Sequence, residues 1–357
     1  MNNSKNIFIE KHLASLTPYA TPVLPFGLVH LDANESFVCD VPDAIMQMYL
    51  AAIEKVRFNR YPDPTCSSLI DAFSKKYSLN TNTVTIGNGS DELIALIFEL
   101  FLKDNATVLT TDPDFSMYSF YPNLRRANVQ YYKKGYSLQI DPDELIDCMD
   151  RFDPSILIFS NPCNPTGCIL SAKDVIKILR HAPCITVIDE AYMDFSSTNQ
   201  SVIDQINEFD NLIVLKTASK YGYAALRLGF SIANPTLTNV LRSAKSPYNV
   251  NTISQIIGTI AYEHPSYLNH VIHQIRLAND YLYNELVKFE TVLGAKFEVI
   301  KSYTNFVYVK TWKSDEIYDE LKKCGIFVRK FENALRITCG NNTEQLLLLK
   351  ALNTINK

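Results

Sequence analysis

Lys220 closes a short polar turn, Lys216-Thr217-Ala218-Ser219-Lys220, directly after the apolar run Leu212 to Leu215, and Arg227 follows seven residues later. The run reads as a buried strand. A primary amine displayed at the end of such a strand can form a Schiff base with an aldehyde. Ser219 and Arg227 can both bind phosphate, the arginine bidentately. Turns of this kind are common, so the argument depends on what the other apolar runs deliver.

Three further runs end in groups that suit the same ligand. Behind Val84-Thr85-Ile86 comes Gly87-Asn88-Gly89-Ser90-Asp91, opening a helix. Glycines let the backbone approach an anion, and a helix N-terminus offers N–H groups and positive dipole. An ordinary cap, with Ser90 capping and Asp91 satisfying the dipole, would use the same residues. No G-K-[ST] follows and the spacing is not G-x-G-x-x-G, so neither nucleotide-binding loop is indicated. Behind Ile156 to Phe159 comes Ser160-Asn161-Pro162-Cys163-Asn164-Pro165-Thr166-Gly167, a tight loop from which Asn164 could donate to a ligand oxygen. Behind Ile185 to Ile188 comes Asp189-Glu190-Ala191-Tyr192. A carboxylate in that position is costly to bury without a cation, and a protonated pyridine nitrogen would serve. Tyr192 could reach a phenolic oxygen on the same ring, and Phe115 could stack on its face, although core packing explains a lone phenylalanine equally well.

These groups must be positioned by elements that share one edge. Residues 1–41 are rich in proline and weakly periodic, and read as an arm. Helices are expected over Asp43 to Val56, Ser67 to Tyr77, Glu92 to Leu102, Ser116 to Asn123, Asp141 to Met149 and Ser171 to His181. Between them lie apolar runs at Val84 to Ile86, Thr107 to Thr110, Val129 to Tyr132, Ile156 to Phe159, Ile185 to Ile188, Leu212 to Leu215 and Leu228 to Ile232. Continuous apolar strands separated by helices predict an α/β fold with a mostly parallel sheet covered by helices on both faces. Ligands in such sheets sit at the carboxyl ends of the strands. After about residue 245 the pattern changes to a long helical stretch, Thr252 to Val287, then short strands near Lys296 to Lys301, Asn305 to Val309, Phe327-Val328 and Leu335 to Thr338, with helices over Ser314 to Lys323 and Thr343 to Asn353. The expected division is an arm (1–41) contributing to a small α+β domain (246–357) and a large ligand-binding domain (42–245).

Length and composition agree. A chain of 357 residues exceeds the usual single domain. Its net charge of -4 gives no general attraction to nucleic acid or anionic membrane. No apolar run has the roughly 18 residues a membrane span needs. The polar N-terminus lacks a signal-peptide core, and the eight cysteines have neither C-x-x-C nor zinc spacing, so reduced cytoplasmic thiols and no metal are expected.

Taken together, N-P-C-N-P-T-G at 161–167, D-E-A-Y at 189–192, T-A-S-K at 217–220 and R-L-G at 227–229 resemble the fold-type-I aminotransferases that use pyridoxal 5′-phosphate (PLP). G-N-G-S-D-E-L-I at 87–94, R-Y-P-D-P at 60–64, P-Y-N-V-N at 247–251 and L-R-I-T at 335–338 resemble the histidinol-phosphate aminotransferases within them. The resemblance spans essentially the whole chain. It implies that Lys220 carries PLP as an internal aldimine and shuttles the proton. Asp189 would pair with the pyridinium nitrogen, Asn164 and Tyr192 would bind the ring oxygen, and Phe115 would stack. Gly89, Ser90, Asp91, Ser219 and Arg227 would form the phosphate site. Tyr61 would reach the phosphate in the neighbouring subunit, which implies a homodimer with shared sites. Arg336, Arg329, Tyr19 and Asn34 would meet the substrate. Lys216 falls on the wrong side of Ser219 to be the nucleophile.

Two departures lie where the substrate side chain would be enclosed. The family's N-E-N-P-Y-G is Asn34-Glu35-Ser36-Phe37-Val38-Cys39, and P-Y-x-P-G is Pro18-Tyr19-Ala20-Thr21-Pro22. The leading expectation is transfer of an amino group between histidinol phosphate and 2-oxoglutarate by a ping-pong mechanism in histidine biosynthesis. The alternatives are an aminotransferase for aromatic or other amino acids, and a decarboxylase resembling threonine-phosphate decarboxylase. A PLP-binding regulator would need a DNA-binding domain for which the arm leaves no room.

Overall fold

The computed structural model describes residues 27–103, 105–293 and 297–355, with Ile9 and Ala14. A seven-stranded sheet is built from β2 (Val84–Asn88), β3 (Thr107–Asp112), β4 (Asn128–Lys133), β5 (Ile156–Ser160), β6 (Ile185–Asp189), β7 (Leu212–Thr217) and β8 (Leu228–Ala233), in the order β2-β8-β7-β6-β5-β3-β4. Its central strands β5 to β8 are mainly apolar and buried almost without alternation because both faces are covered, whereas the edge strand β4 is polar and largely exposed. Leu157, Phe159, Ile188, Leu212 and Val214 pack into one core, and Ile156, Ile158, Val187, Ile213 and Leu215 into the other.

β3 through β7 run parallel, whereas β8 is antiparallel to both β7 and β2. The connection from β7 to β8, residues 218–227, holds only two short 3₁₀ turns. That is too short for the helical crossover a parallel pair needs, so the chain turns back. The reversal puts the start of β8 beside the end of β2, with Leu228 opposite Asn88. Arg227 therefore emerges at the same sheet edge as the ends of β2, β5, β6 and β7.

The second sheet has five strands: β1 (Val29–Leu31), β9 (Glu298–Ile300), β10 (Phe306–Lys310), β11 (Ile326–Phe331) and β12 (Ala334–Thr338), in the order β1-β11-β12-β10-β9. β1 belongs to the expected arm and pairs parallel with β11. The sequence reading missed this strand and the helix Pro235–Ala244, which is capped by Asn234 accepting from Leu237 N–H at 3.0 Å. The long helical stretch is two helices, Thr252–Glu263 and Pro265–Leu293. Pro265 has no N–H to continue the first helix but suits the first turn of the second.

Candidate active site

A cavity of about 260 Å³ lies where the strand ends of the seven-stranded sheet face β11 and β12 of the other. Asn34, Ser90, Asp91, Phe115, Asn164, Asp189, Tyr192, Ser219, Lys220, Arg227, Arg329 and Arg336 all line it. Tyr61 does not; it is 81% exposed and stacks on Tyr248 with ring centroids 4.6 Å apart. Tyr19 lies outside the described residues.

Parallel pairing explains the middle of the site. Ser160 and Asp189, the last residues of β5 and β6, are in register, and Asp189 pairs with Leu215, two residues before β7 ends at Thr217. Side-chain alternation then separates two neighbouring acids. Asp189 faces the Val187 side of the sheet and the cavity, while Glu190 faces the Ile188 side and is fully buried. Glu190 there accepts from Ser201 Oγ at 2.6 Å and from Val202 N–H at 2.8 Å, and pairs with Lys216 at 3.5 Å. Lys216 also lies 3.6 Å from Asp194. It is enclosed by its own ion pairs.

Asp189 receives Tyr118 Oη at 2.7 Å and Ala191 N–H at 3.0 Å. Burial nevertheless raises its carboxyl to about 6, the Asp114 and Asp91 charges adding to the effect against those two hydrogen bonds. Among the described residues, no basic side chain forms an ion pair with it. A buried carboxylate held in that state fits a cationic ring nitrogen placed against it.

Lys220 is half-buried, its Nζ 5.8 Å from the centroid of the Tyr192 ring. Tyr192 packs edge-on to Phe306, and its hydroxyl accepts from Asn34 Nδ2 at 2.9 Å. Asn34 is itself held by the five-stranded sheet. Its N–H donates to Thr338 Oγ1, Thr338 Oγ1 donates to its Oδ1, both at 3.1 Å, and Asn305 Nδ2 donates to its carbonyl at 2.9 Å.

At one end, Gly89 is the N-cap of helix Ser90–Phe101 with φ +85°, so Ser90 is its first residue and not its cap. A Cβ on Gly89 would come within 2.6 Å of the Arg227 guanidinium. Arg227 pairs with Asp91 at 3.3 Å. Ser219 Oγ, fixed by Thr217 Oγ1 at 3.0 Å, completes a concave corner of helix N–H groups, hydroxyls and a guanidinium. Such a corner fits a phosphate.

At the other end, Arg336 is buried, donating through Nη1 to Asn164 Oδ1 and through Nη2 to the Asp32 carbonyl, both at 2.6 Å. Arg329 is its register partner across β11 and β12. It is half-buried and lines the cavity, unlike a solvated surface arginine. Sequence reasoning missed Tyr118, Asp114 and Ser160. Tyr118 follows Phe115 by three residues and packs edge-on to it with ring centroids 5.5 Å apart, but that spacing does not point to Asp189 as its partner.

A model of the aminotransferase class I and II family matches residues 27–352. The histidinol-phosphate aminotransferase of Clostridium novyi is 37% identical over 91% of this chain and 90% of its own length. That of Clostridium kluyveri is 34% identical over 98% of both. Among solved structures, the Sinorhizobium meliloti histidinol-phosphate aminotransferase in complex with pyridoxal-5′-phosphate superposes with TM-score 0.84 at 22% identity, covering 96% of this chain and 99% of that one. The L-threonine-O-3-phosphate decarboxylase of Porphyromonas gingivalis superposes with TM-score 0.77 at 20% identity, covering 92% and 99%. With its sheet, its strand-end cavity and this match along nearly its full length, the chain belongs to the class I and II aminotransferases.

Proposed function

We propose that the chain is a PLP-dependent aminotransferase acting on histidinol phosphate, with 2-oxoglutarate as acceptor. The observation that carries this reading is the pairing of a phosphate-shaped corner at one end of the cavity with Arg329 and Arg336 at the other. Lys220 and Asp189 lie between them. When bound, PLP supplies an electron sink for charge developing at the substrate α-carbon.

Each residue then has a task. Lys220 Nζ would hold the cofactor's aldehyde carbon and carry the proton removed from and returned to carbon. Asp189, steadied by Tyr118, would keep the ring nitrogen protonated. Asn164 and Tyr192 would donate to the ring oxygen, and Phe115 would cover the ring. The backbone at Gly89, with Ser90, Asp91, Ser219 and Arg227, would hold the phosphate. Histidinol phosphate carries its phosphate where an amino acid carries a carboxylate. Two cations at the far end suit both that phosphate and the carboxylates of glutamate, which lets one cavity serve both half-reactions.

The same reading places residues 42–245 in a large domain, and the arm with 246–357 in a small one. It also makes the protein a cytoplasmic homodimer. Support for the dimer comes from Tyr61 and Phe58, aromatic residues 81% and 80% exposed on the single chain.

Single-turnover absorbance tests the substrate. Histidinol phosphate should convert the loaded enzyme to its pyridoxamine form, and 2-oxoglutarate should reverse it. Release of CO₂ from threonine phosphate without an acceptor would replace this reading with the decarboxylase one.

A further inference from the structure

Behind the ring-stacking residue lies a buried ion pair that the reaction does not use. Lys134 Nζ and Asp114 are 3.6 Å apart with both side chains 1% exposed. Asp114 is a hub. It accepts from Thr111 Oγ1 at 2.5 Å, from Phe115 N–H at 2.8 Å, from Ser160 N–H at 3.3 Å and from Ser160 Oγ. Ser160 Oγ in turn accepts from Asn164 N–H at 3.0 Å. Lys134 is held from the other side by the Pro113 carbonyl at 2.9 Å and Cys163 Sγ at 3.0 Å.

Removing two charges from water costs several kcal/mol per ion before any pairing, so this pair is weak evidence of a stabilising device. Its connections give it a different use. One carboxylate orients the backbone of Phe115, on the loop after β3, and reaches through one hydroxyl to Asn164, on the loop after β5. These are the two residues assigned to the face and the ring oxygen of the cofactor. A hydroxyl that donates to a carboxylate is also a stronger acceptor toward Asn164 N–H.

We propose that Asp114, with Lys134 as its counter-ion, is a positioning residue that acts through Ser160 to fix Asn164 for donation to the cofactor's ring oxygen. This rests on the PLP reading above. A donor at that oxygen favours its anionic form and weakens its hold on the proton shared with the lysine nitrogen. Loss of the Asp114–Ser160–Asn164 line therefore raises the pH midpoint of the cofactor's visible absorbance change.

The test titrates that absorbance in the loaded enzyme without substrate, for wild type, Ser160→Ala, Asn164→Ala and the double variant. Ser160→Ala removes one oxygen and is the mild probe. Asp114→Asn is the second, with thermal unfolding of the cofactor-free protein recorded for each. Ser160→Ala should raise the midpoint by about half a pH unit, the scale of one hydrogen bond. It should add nothing in the Asn164→Ala background, because it acts through that residue. An unchanged midpoint in Ser160→Ala, or a shift that simply adds to that of Asn164→Ala, overturns the proposal. Failure of the PLP reading is distinguishable, since wild type would then show no titrating visible band.

Discussion

Arg336 Nη1 donates to Asn164 Oδ1 over 2.6 Å, so the arginine at the anion end of the cavity fixes which way the asparagine carboxamide faces. With Oδ1 engaged, Nδ2 is the amide atom left to make the donation to a cofactor ring oxygen proposed for Asn164. One residue thus reports on both ends of the site. Arg336→Met should lower kcat/KM for histidinol phosphate by about 100-fold, the weight of a charge-assisted hydrogen bond. It should also raise the pH midpoint of the cofactor band before any substrate is added. A variant with weakened substrate use and an unmoved midpoint would show that the contact does not orient Asn164.

Asp189 makes the cofactor-free protein pH-sensitive. Its folded carboxyl is raised to about 6 against an ordinary value of 3.8, because burial disfavours its charge. The folded state therefore binds the proton more tightly than the unfolded state. Stability falls as pH rises from about 4 to about 6 and stays reduced above that. At pH 8 the cost is about 3 kcal/mol. Asp189→Asn should stabilise the cofactor-free protein, and by about 1.4 kcal/mol more at pH 8 than at pH 5. Thermal unfolding at both pH values measures it, and an equal gain at both would show that the carboxylate is not desolvated. The same substitution should weaken PLP binding, because the ring nitrogen loses its counter-ion.

The two lysines of the turn offer a contrast. Lys216 sits between Glu190 and Asp194, at 3.5 and 3.6 Å, on the sheet face opposite the cavity. Lys216→Met strands two acids and should cost about 3–5 kcal/mol. Lys220→Ala should leave unfolding nearly unchanged while removing the visible cofactor band and turnover. Denaturant unfolding of both cofactor-free variants decides it. A Lys220→Ala variant that keeps the band would move the nucleophile elsewhere.

Strand ends are legible in the sequence, and contacts between residues far apart along the chain are not. Lys220, Asp189 and Asn164 each follow a short, mainly apolar run, and a covered parallel sheet brings such ends to one edge whatever lies between. The antiparallel turn of β8 was open to inference from the ten residues between β7 and β8, too few for a crossover helix. The break at Pro265 was obscured because the apolar period continues through it into the second helix. Tyr118 could not be read, since its partner Asp189 lies 71 residues away and tyrosine in an apolar helix ordinarily means packing. Asp114 was passed over for the same reason: its partner Ser160 is 46 residues distant.

Gly89 provides a test confined to the phosphate corner. Its φ of +85° with ψ of 163° is a conformation almost confined to glycine, which a side chain adopts at a cost of about 1–3 kcal/mol. An added Cβ would also sit 2.6 Å from the Arg227 guanidinium, a flexible group that can move away. Gly89→Ala should therefore fold, with Arg227 displaced and the N–H groups of Ser90 and Asp91 re-aimed. Binding of PLP to the cofactor-free variant should weaken by about tenfold, the weight of one charge-assisted hydrogen bond lost from the corner. Binding of pyridoxal without its phosphate should hardly change, because Lys220, Asp189 and Asn164 are untouched. Equilibrium dialysis with both compounds measures the difference. Equal losses for the two would mean that this corner does not hold the phosphate.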